Sequence, residues 1–279
     1  MHDTRAFESL LAFWVESGVD TALADEPINR TLPAIEAPAP AAAESAPPPP
    51  ERRRPPPPMP APAPVLATQA PDVLAKAVAA ASEAAATAQD LEALAAAIAA
   101  FEGCPLKGGA RQAVFARGRP DAPVMAIGEG PGGEEDLQGL PFVGRAGQLL
   151  DRMLAAAGLT DRVFITNTVF WRPPGNRTPT TDEQAVCEPF VRRAIELVRP
   201  RVLLLVGAAS ARFVLKRSEG VLALRGRWFE WRSGDGELEI PALPTLHPAF
   251  LLRQPAAKKK SWEDLLLLAE RLDRPHRPE

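Results

Sequence analysis

The sequence predicts an α/β fold built on a parallel β-sheet that helices cover on both faces. From residue 121 onward, short apolar segments typical of strands alternate with amphipathic segments typical of helices. Strands that are apolar along their whole length are typical of parallel sheets buried on both sides. A long proline-rich segment precedes this alternation and is too poor in aromatic and β-branched residues to bury a core. The chain therefore divides into a disordered part and a globular part.

Four strands and three connecting helices follow from this alternation. The predicted strands are residues 124–128, 163–169, 202–207 and 243–246, and the predicted helices are residues 147–157, 182–198 and 208–215. The turn sequence SGDG at 233–236 lies between two segments of strand character, which predicts a β-hairpin inserted before the last strand. A final helix over 261–272 is expected to begin with Ser261 as its N-cap.

The first hundred residues are assigned to three segments. Residues 1–30 contain an amphipathic helix, which either docks on a protein partner or folds back on its own domain. Residues 31–71 form a disordered Pro/Ala-rich linker, since 15 of the 32 prolines lie between Pro33 and Pro71. Residues 72–101 are an Ala-rich helical lead-in of two helices, the second capped by Asp90, to a domain that spans 72–279.

Charge and composition restrict the function classes. Residues 1–100 carry a net charge of −7 and residues 101–279 a net charge of +4, so the globular part permits a polyanionic partner or has an ordinary mixed surface. No apolar run reaches the ~18 residues of a membrane span, and the N-terminus lacks the pattern of a signal peptide. Two cysteines fit a reducing cytoplasm, so a cytoplasmic location is expected.

The carboxyl ends of the strands are where a ligand is expected in such a sheet. The stretch GEGPGG at 128–133 formally matches a dinucleotide fingerprint, but Glu134, Glu135 and Asp136 follow it and would repel a phosphate. The favoured interpretation is a turn that presents carboxylates, with glycines such as Gly130 letting the backbone approach a ligand. A nucleotide-cofactor enzyme built on GEGPGG stays the alternative.

Two further side chains stand out at this edge. Phe142 lies in a loop between Pro141 and Val143, where it is either a plug of the core or a stacking platform for a flat ligand. His247 follows the last strand, and Pro248 fixes the turn after it. A lone histidine is often a satisfied core residue, but this position favours a functional one.

Three separated blocks resemble the signature blocks of the family 4 uracil-DNA glycosylases. They are GEGPGGEEDLQGLPFVGRAGQLL at 128–150, ITNTVFWRPPGNRTP at 165–179 and LHPAFLLRQP at 246–255, in the order and spacing of that family. The resemblance covers roughly residues 101–272. It implies a three-layer α/β/α uracil-DNA-glycosylase-like fold around a short, mostly parallel four-stranded sheet. It also implies an enzyme that binds uracil-containing DNA and hydrolyses the bond between uracil and deoxyribose, the first step of base excision repair. A monomer is expected.

The resemblance also implies a role for each matching residue. Phe142 would stack on a flipped-out uracil, Asn167 would bind its polar edge, and His247 would donate a hydrogen bond to uracil O2. Glu129 and Glu135 would stabilise the positive sugar and position water. The remaining matches would support the substrate or contact DNA: Gly130, Asn176, Arg172, Arg177, Arg253, residues 258–260, and Leu251 or Leu252 as a wedge.

The family normally carries a [4Fe–4S] cluster held by four cysteines, and this sequence keeps two of them. The four matching positions are Phe101, Cys104, Trp171 and Cys187. Two thiolates do not hold a cluster that needs four ligands, and aromatic rings supply none. The cluster is therefore expected to be lost, with Phe101 and Trp171 filling its volume, and no other metal site is expected. The alternative is a degraded site with lower stability and a reactive thiol pair.

Two functional hypotheses thus follow from the resemblance. The first is an active uracil-DNA glycosylase without iron. The second is a catalytically weak module of the same fold that binds DNA or recruits another protein.

Overall fold

The computed structural model of the chain describes residues 71–273, all within one compact unit. The predicted N-terminal helix and nearly all of the predicted linker lie outside the described residues, so these segment boundaries stay predictions. Among residues 71–273, no helix has the length and apolar character needed to cross a membrane.

A six-stranded mixed sheet forms the centre of the fold. Its strands are β1 (Ala116–Gly118), β2 (Val124–Gly128), β3 (Val163–Asn167), β4 (Val202–Val206), β5 (Phe229–Arg232) and β6 (Glu239–Thr245). The spatial order is β1-β3-β2-β4-β6-β5. The four inner strands are parallel, and β1 and β5 pair antiparallel at the two edges. The predicted parallel core is confirmed, whereas the strand count of four is corrected to six.

Helices cover both faces of this sheet, and β2, β3 and β4 are therefore buried at every position. The helices are α1 (Pro71–Thr87), α2 (Leu91–Ala100), α3 (Gly133–Gln138), α4 (Arg145–Ala156), α5 (Thr181–Val198), α6 (Ala208–Leu215), α7 (Val221–Leu224), α8 (Pro248–Arg253) and α9 (Lys258–Asp273). On β2, Met125 and Ile127 pack in one core with α1, α2, α5 and α6. Val124 and Ala126 pack in a second core with α4 and α9. The three-layer α/β/α arrangement is therefore confirmed.

Two details at the C-terminal end differ from the sequence prediction. The hairpin is not inserted before the last strand, because its second arm and the last strand are one continuous strand, β6. Ser261 is not an N-cap, since α9 begins three residues earlier at Lys258. Its hydroxyl is buried without a hydrogen-bond partner among the described residues. Ser261 has the sequence pattern of an N-cap, because an acidic residue follows it three positions later and an apolar run begins after it. The same pattern occurs here inside a helix.

The Ala-rich lead-in forms two helices, α1 and α2, as its sequence predicts. The Asp90 carboxylate accepts a hydrogen bond from the Ala93 backbone N–H at 2.8 Å, which satisfies one free donor at the start of α2. Helix α1 packs along α5. The Arg193 side chain of α5 donates two hydrogen bonds to the Ala88 carbonyl in the turn between α1 and α2. The lead-in is thus a part of the folded unit.

Candidate active site

A pocket of about 420 Å³ lies at the carboxyl edge of the parallel strands. The loops that follow β2, β3 and β6 meet there, as the sheet topology requires. Its lining residues come from these loops and from the ends of short helices: Glu129, Gly130, Pro131, Gly132, Glu135, Phe142, Ala146, Pro173, Asn176, Arg177, Thr178, Pro179, His247, Ala249, Phe250 and Arg253. The sequence motifs at 128–135, 142, 176–177 and 247–253 therefore converge on one cavity.

Phe142 and His247 both line this pocket, and their rings lie next to each other. Their ring centroids are 5.7 Å apart, and the ring planes are inclined by 32°. Phe142 has a φ of 57°, a left-handed conformation that is rare for a bulky aromatic residue. Such strain persists only where neighbouring contacts hold the backbone in place.

Two neighbours hold the Phe142 backbone. Arg117 of β1 donates hydrogen bonds to the carbonyl of Pro141 at 2.7 Å and to the carbonyl of Phe142 at 3.2 Å. Gly147 of α4 lies so close that a β-carbon on it would be 1.7 Å from the Phe142 oxygen. The strained loop is therefore fixed from both sides, and the contact from Arg117 comes from outside the sequence block that contains Phe142.

His247 is held in a defined orientation by the start of α8. Its Nδ1 accepts a hydrogen bond from the Ala249 backbone N–H at 3.2 Å, so the proton of the neutral ring is assigned to Nε2. Burial of the ring lowers the pKa of His247, Glu129 and Glu135 oppose this shift, and Arg253 adds to it. A neutral imidazole with a free Nε2–H is a hydrogen-bond donor near pH 7.

The strand that leads into His247 is anchored by a buried ion pair. The Thr245 hydroxyl donates to Asp264 Oδ2 at 2.8 Å. Arg225 binds the same carboxylate through Nε at 3.0 Å and Nη2 at 2.6 Å. Asp264 is fully buried, and this burial raises its pKa. This role of Asp264 and Arg225 could not be predicted from the sequence, because a lone acid in a helix and an arginine before a hairpin carry no local signal for it.

Asn167 is buried beside the Phe142 ring at the end of β3. A β-carbon on Gly128 would be 2.4 Å from Asn167 Oδ1 and 2.4 Å from Phe142 Cζ, so glycine is required for both side chains to approach this point. Within residues 71–273, neither Oδ1 nor Nδ2 of Asn167 has a hydrogen-bond partner, although the residue is only 1% exposed. Each unsatisfied buried group costs about 1–3 kcal/mol. A bound ligand with a donor and an acceptor would remove this cost.

Two glutamates line the pocket, and the structure gives them different surroundings. Glu135 accepts backbone hydrogen bonds from Gly132 at 3.1 Å and from Gly144 at 2.9 Å, one on each carboxylate oxygen. It thereby ties the loop after β2 to the start of α4, next to Phe142. Glu129 is half-buried, and its carboxylate has no hydrogen bond or ion pair among the described residues. Glu129 is therefore the carboxylate available to a substrate, and Glu135 has the contacts of a positioning residue.

The basic and amide side chains of the 172–177 segment already have partners within the folded chain. Arg172 Nε donates to Asn176 Oδ1 at 2.8 Å, and Asn176 has a left-handed φ of 55°. Arg177 forms a bidentate ion pair with the buried Glu183, at 2.6 and 2.8 Å. This contact raises the pKa of Arg177. The resemblance implies a DNA contact for Arg177. Its guanidinium instead stabilises the start of α5, so Arg177 is a poor candidate for binding a DNA phosphate.

The wedge assigned to Leu251 or Leu252 is restricted by burial. Leu251 is 0% exposed and packs with Leu149 and Leu246, whereas Leu252 is 37% exposed. Leu251 is therefore corrected to a core residue, because its removal from this cluster would expose apolar surface. Arg253, next along α8, is exposed at the rim of the pocket.

The four positions that match the family's cluster ligands lie in one apolar core. Phe101 is 9% and Trp171 1% exposed, and the Phe101 ring packs edge-on against Phe190 at 5.2 Å. Cys104 and Cys187 are both buried as free thiols, and burial raises the pKa of Cys187 well above its ordinary value. Two of the four positions thus have no ligand atom, and the other two are ordinary buried thiols. This donor set does not fit a [4Fe–4S] cluster.

Comparison with known proteins places this pocket in a family. Residues 115–266 match the uracil DNA glycosylase superfamily. The type-4 uracil-DNA glycosylase of Thermotoga maritima is 40% identical over 152 residues, which are 54% of this chain and 77% of that protein. Those of Saccharolobus solfataricus and Pyrobaculum aerophilum are 36% and 37% identical, over 66% and 64% of this chain and 87% and 92% of their own lengths. The chain belongs to the uracil DNA glycosylase superfamily.

Proposed function

We propose that this protein is a uracil-DNA glycosylase, which hydrolyses the N-glycosidic bond of a flipped-out uracil in DNA and so starts base excision repair. The observation that carries this proposal is the buried, unpartnered amide of Asn167 beside the Phe142 ring. A uracil stacked on Phe142 presents a carbonyl oxygen and an N–H at its edge, which match the Nδ2 donor and the Oδ1 acceptor.

The pocket supplies the charges that the reaction needs. As the glycosidic bond breaks, the sugar becomes positive and the departing uracil takes the electron pair as an anion. The Glu129 carboxylate would stabilise the sugar, and the Nε2–H of His247 would donate to uracil O2. Water then adds to C1′ of the sugar and gives up a proton, and the uracil anion takes up a proton. The products are an abasic site and neutral uracil. Groups that are fixed before the reaction stabilise these charges without reorganisation.

Entry of the base into the pocket requires that it leave the DNA stack, at a cost of a few kcal/mol. Leu252 is the exposed leucine of α8 and would fill the space that the base leaves. Arg253 and Lys258–Lys260 are exposed near it and would contact phosphates. Arg172 is held by Asn176 and would contribute through the shape of the loop.

We further propose that the enzyme needs no iron–sulfur cluster. The pocket residues lie outside the aromatic core that contains Phe101 and Trp171. An iron assay and a visible spectrum of freshly purified protein test this point. Bound iron with a broad visible absorption band would contradict it, and urea unfolding that a chelator does not alter would support it.

The glycosylase activity is tested with a uracil-containing oligonucleotide, followed by alkaline cleavage of abasic sites. The matched substrate carries thymine at the same position. We expect strand cleavage with uracil and none with thymine, and a loss of at least about 100-fold for Glu129→Gln. Folded protein that binds uracil-DNA without releasing the base would instead identify a catalytically weak binding module.

A further inference from the structure

A second groove, of about 360 Å³, adjoins the pocket. Both cavities are lined by Thr178 and Pro179, so they meet along this segment. The walls of the second groove come from the first half of α5 and from α6. Because α6 follows β4 directly, this groove lies at the same carboxyl edge of the sheet as the pocket.

Three charged side chains line this groove. Lys216 forms an ion pair with Glu188 at 2.7 Å and lies 4.9 Å from the centre of the Phe213 ring. Arg212 is exposed, and within residues 71–273 it has no ion pair or side-chain hydrogen bond. The groove therefore carries a net positive charge, with one guanidinium that is free to bind an anion.

Another exposed basic side chain, Arg253, lies at a different part of the pocket rim. Arg253 lines the pocket from α8, whereas the second groove meets the pocket at Thr178 and Pro179. A nucleotide inserted into the pocket carries a phosphodiester on its 5′ side and another on its 3′ side. Positive charge at two parts of the rim matches this pair of anions.

We propose that the second groove binds the phosphodiester backbone of the target strand next to the flipped nucleotide, with Arg212 as its principal contact. This inference rests on the proposed function. The planar guanidinium suits a phosphate because it donates two parallel hydrogen bonds. Lys216 contributes less, since Glu188 already neutralises it.

An arginine at the start of β4 supplies a matched control. Arg201 is exposed just before β4, at the amino edge of the sheet, while Arg212 lies on α6, the helix that follows the carboxyl end of β4. Among the described residues, the Arg201 side chain has no partner either. Arg212→Ala and Arg201→Ala therefore remove the same charge, the first from the second groove and the second from outside it.

The experiment measures binding of a fluorescent, uracil-free oligonucleotide by anisotropy at several salt concentrations. We expect Arg212→Ala to weaken binding about 10-fold and to reduce the slope of log K against log salt by about 1, while Arg201→Ala changes neither. Equal binding by the two variants, or no measurable binding by the wild type, would overturn the inference.

The uracil-release assay on the wild type separates this inference from the proposed function. Release of uracil together with equal binding by the two variants contradicts the groove alone. Weakened binding by Arg212→Ala without any release of uracil by the wild type supports the groove and contradicts the glycosylase.

Discussion

Arg117 Nη2 bridges the Phe142 carbonyl, at 3.2 Å, and the Asp151 carboxylate, at 2.6 Å. An arginine on an edge strand thus connects the strained loop of the pocket to helix α4. Arg117 does not line the pocket, so any effect of its removal must act through the loop.

Replacement of Arg117 by alanine should lower kcat/KM for uracil-DNA about 10-fold, because Phe142 loses two of the contacts that hold its left-handed backbone. Added guanidinium should partly restore the rate, which a general loss of stability would not allow. Asp151→Asn is the control, since it leaves both bonds to the loop carbonyls in place. A comparable loss in Asp151→Asn, without rescue in Arg117→Ala, would show that the loop contacts are not the cause.

Asn167→Leu should separate stability from activity. The substitution removes two unsatisfied buried polar atoms, so the free energy of unfolding should stay level or rise by about 1 kcal/mol. In contrast, kcat/KM should fall about 100-fold, since two hydrogen bonds to the base edge are lost. Urea denaturation and the uracil-release assay give the two values. Marked destabilisation would mean that the amide has partners within the folded chain and is not reserved for a ligand.

His247 should make stability depend on pH. Its pKa is lowered from 6.5 in the folded state, so the folded protein binds fewer protons than the unfolded chain between the two values. This contribution is complete above about pH 6.5 and is lost as the pH falls through the folded-state pKa. His247→Asn keeps an N-cap for α8 but does not titrate there. The free energy of unfolding of the wild type should therefore fall relative to that of His247→Asn as the pH decreases below 6.5. A difference between the two proteins that stays constant with pH would refute this assignment.

Trp171→Ala should destabilise the protein by about 3–5 kcal/mol, because it empties the volume of the largest fully buried side chain in the described core. Trp262→Ala is the control, since Trp262 is 39% exposed and its removal should change the free energy of unfolding by about 0.5 kcal/mol or less. Urea denaturation with and without a chelator measures both. A small cost at Trp171 would indicate that this region is loosely packed, as expected for a degraded cluster site.

The parallel core of the fold could be predicted from the sequence because β2, β3 and β4 are mostly apolar and are separated by helical patterns. The edge strand β1 was missed, since its three residues, Ala-Arg-Gly, have no strand pattern and are held by pairing with β3. Likewise, β6 contains two prolines, which sequence rules treat as breaks, although the strand continues through them.

In the candidate site, the sequence could predict the residues that line the pocket but not the residues that hold them in place. Phe142, Asn167 and His247 could be named because each stands just after an apolar strand or in a conspicuous loop. Their supports could not, since Arg117 is 25 residues from the carbonyl it binds and Asp264 is 19 residues from Thr245. Burial also decided between Leu251 and Leu252, which no local pattern distinguishes on a six-residue helix.

One hydrogen bond joins His247 to the helix that carries Leu252 and Arg253. His247 caps α8 through its Nδ1, and Leu252 lies five residues further along the same short helix. In the proposed function Leu252 presses into the duplex, so a displacement of α8 by the stacked bases would also move the imidazole. Recognition of a lesion and cleavage of its glycosidic bond would then depend on the same contact, and DNA that seats α8 poorly would leave the Nε2–H donor misaligned.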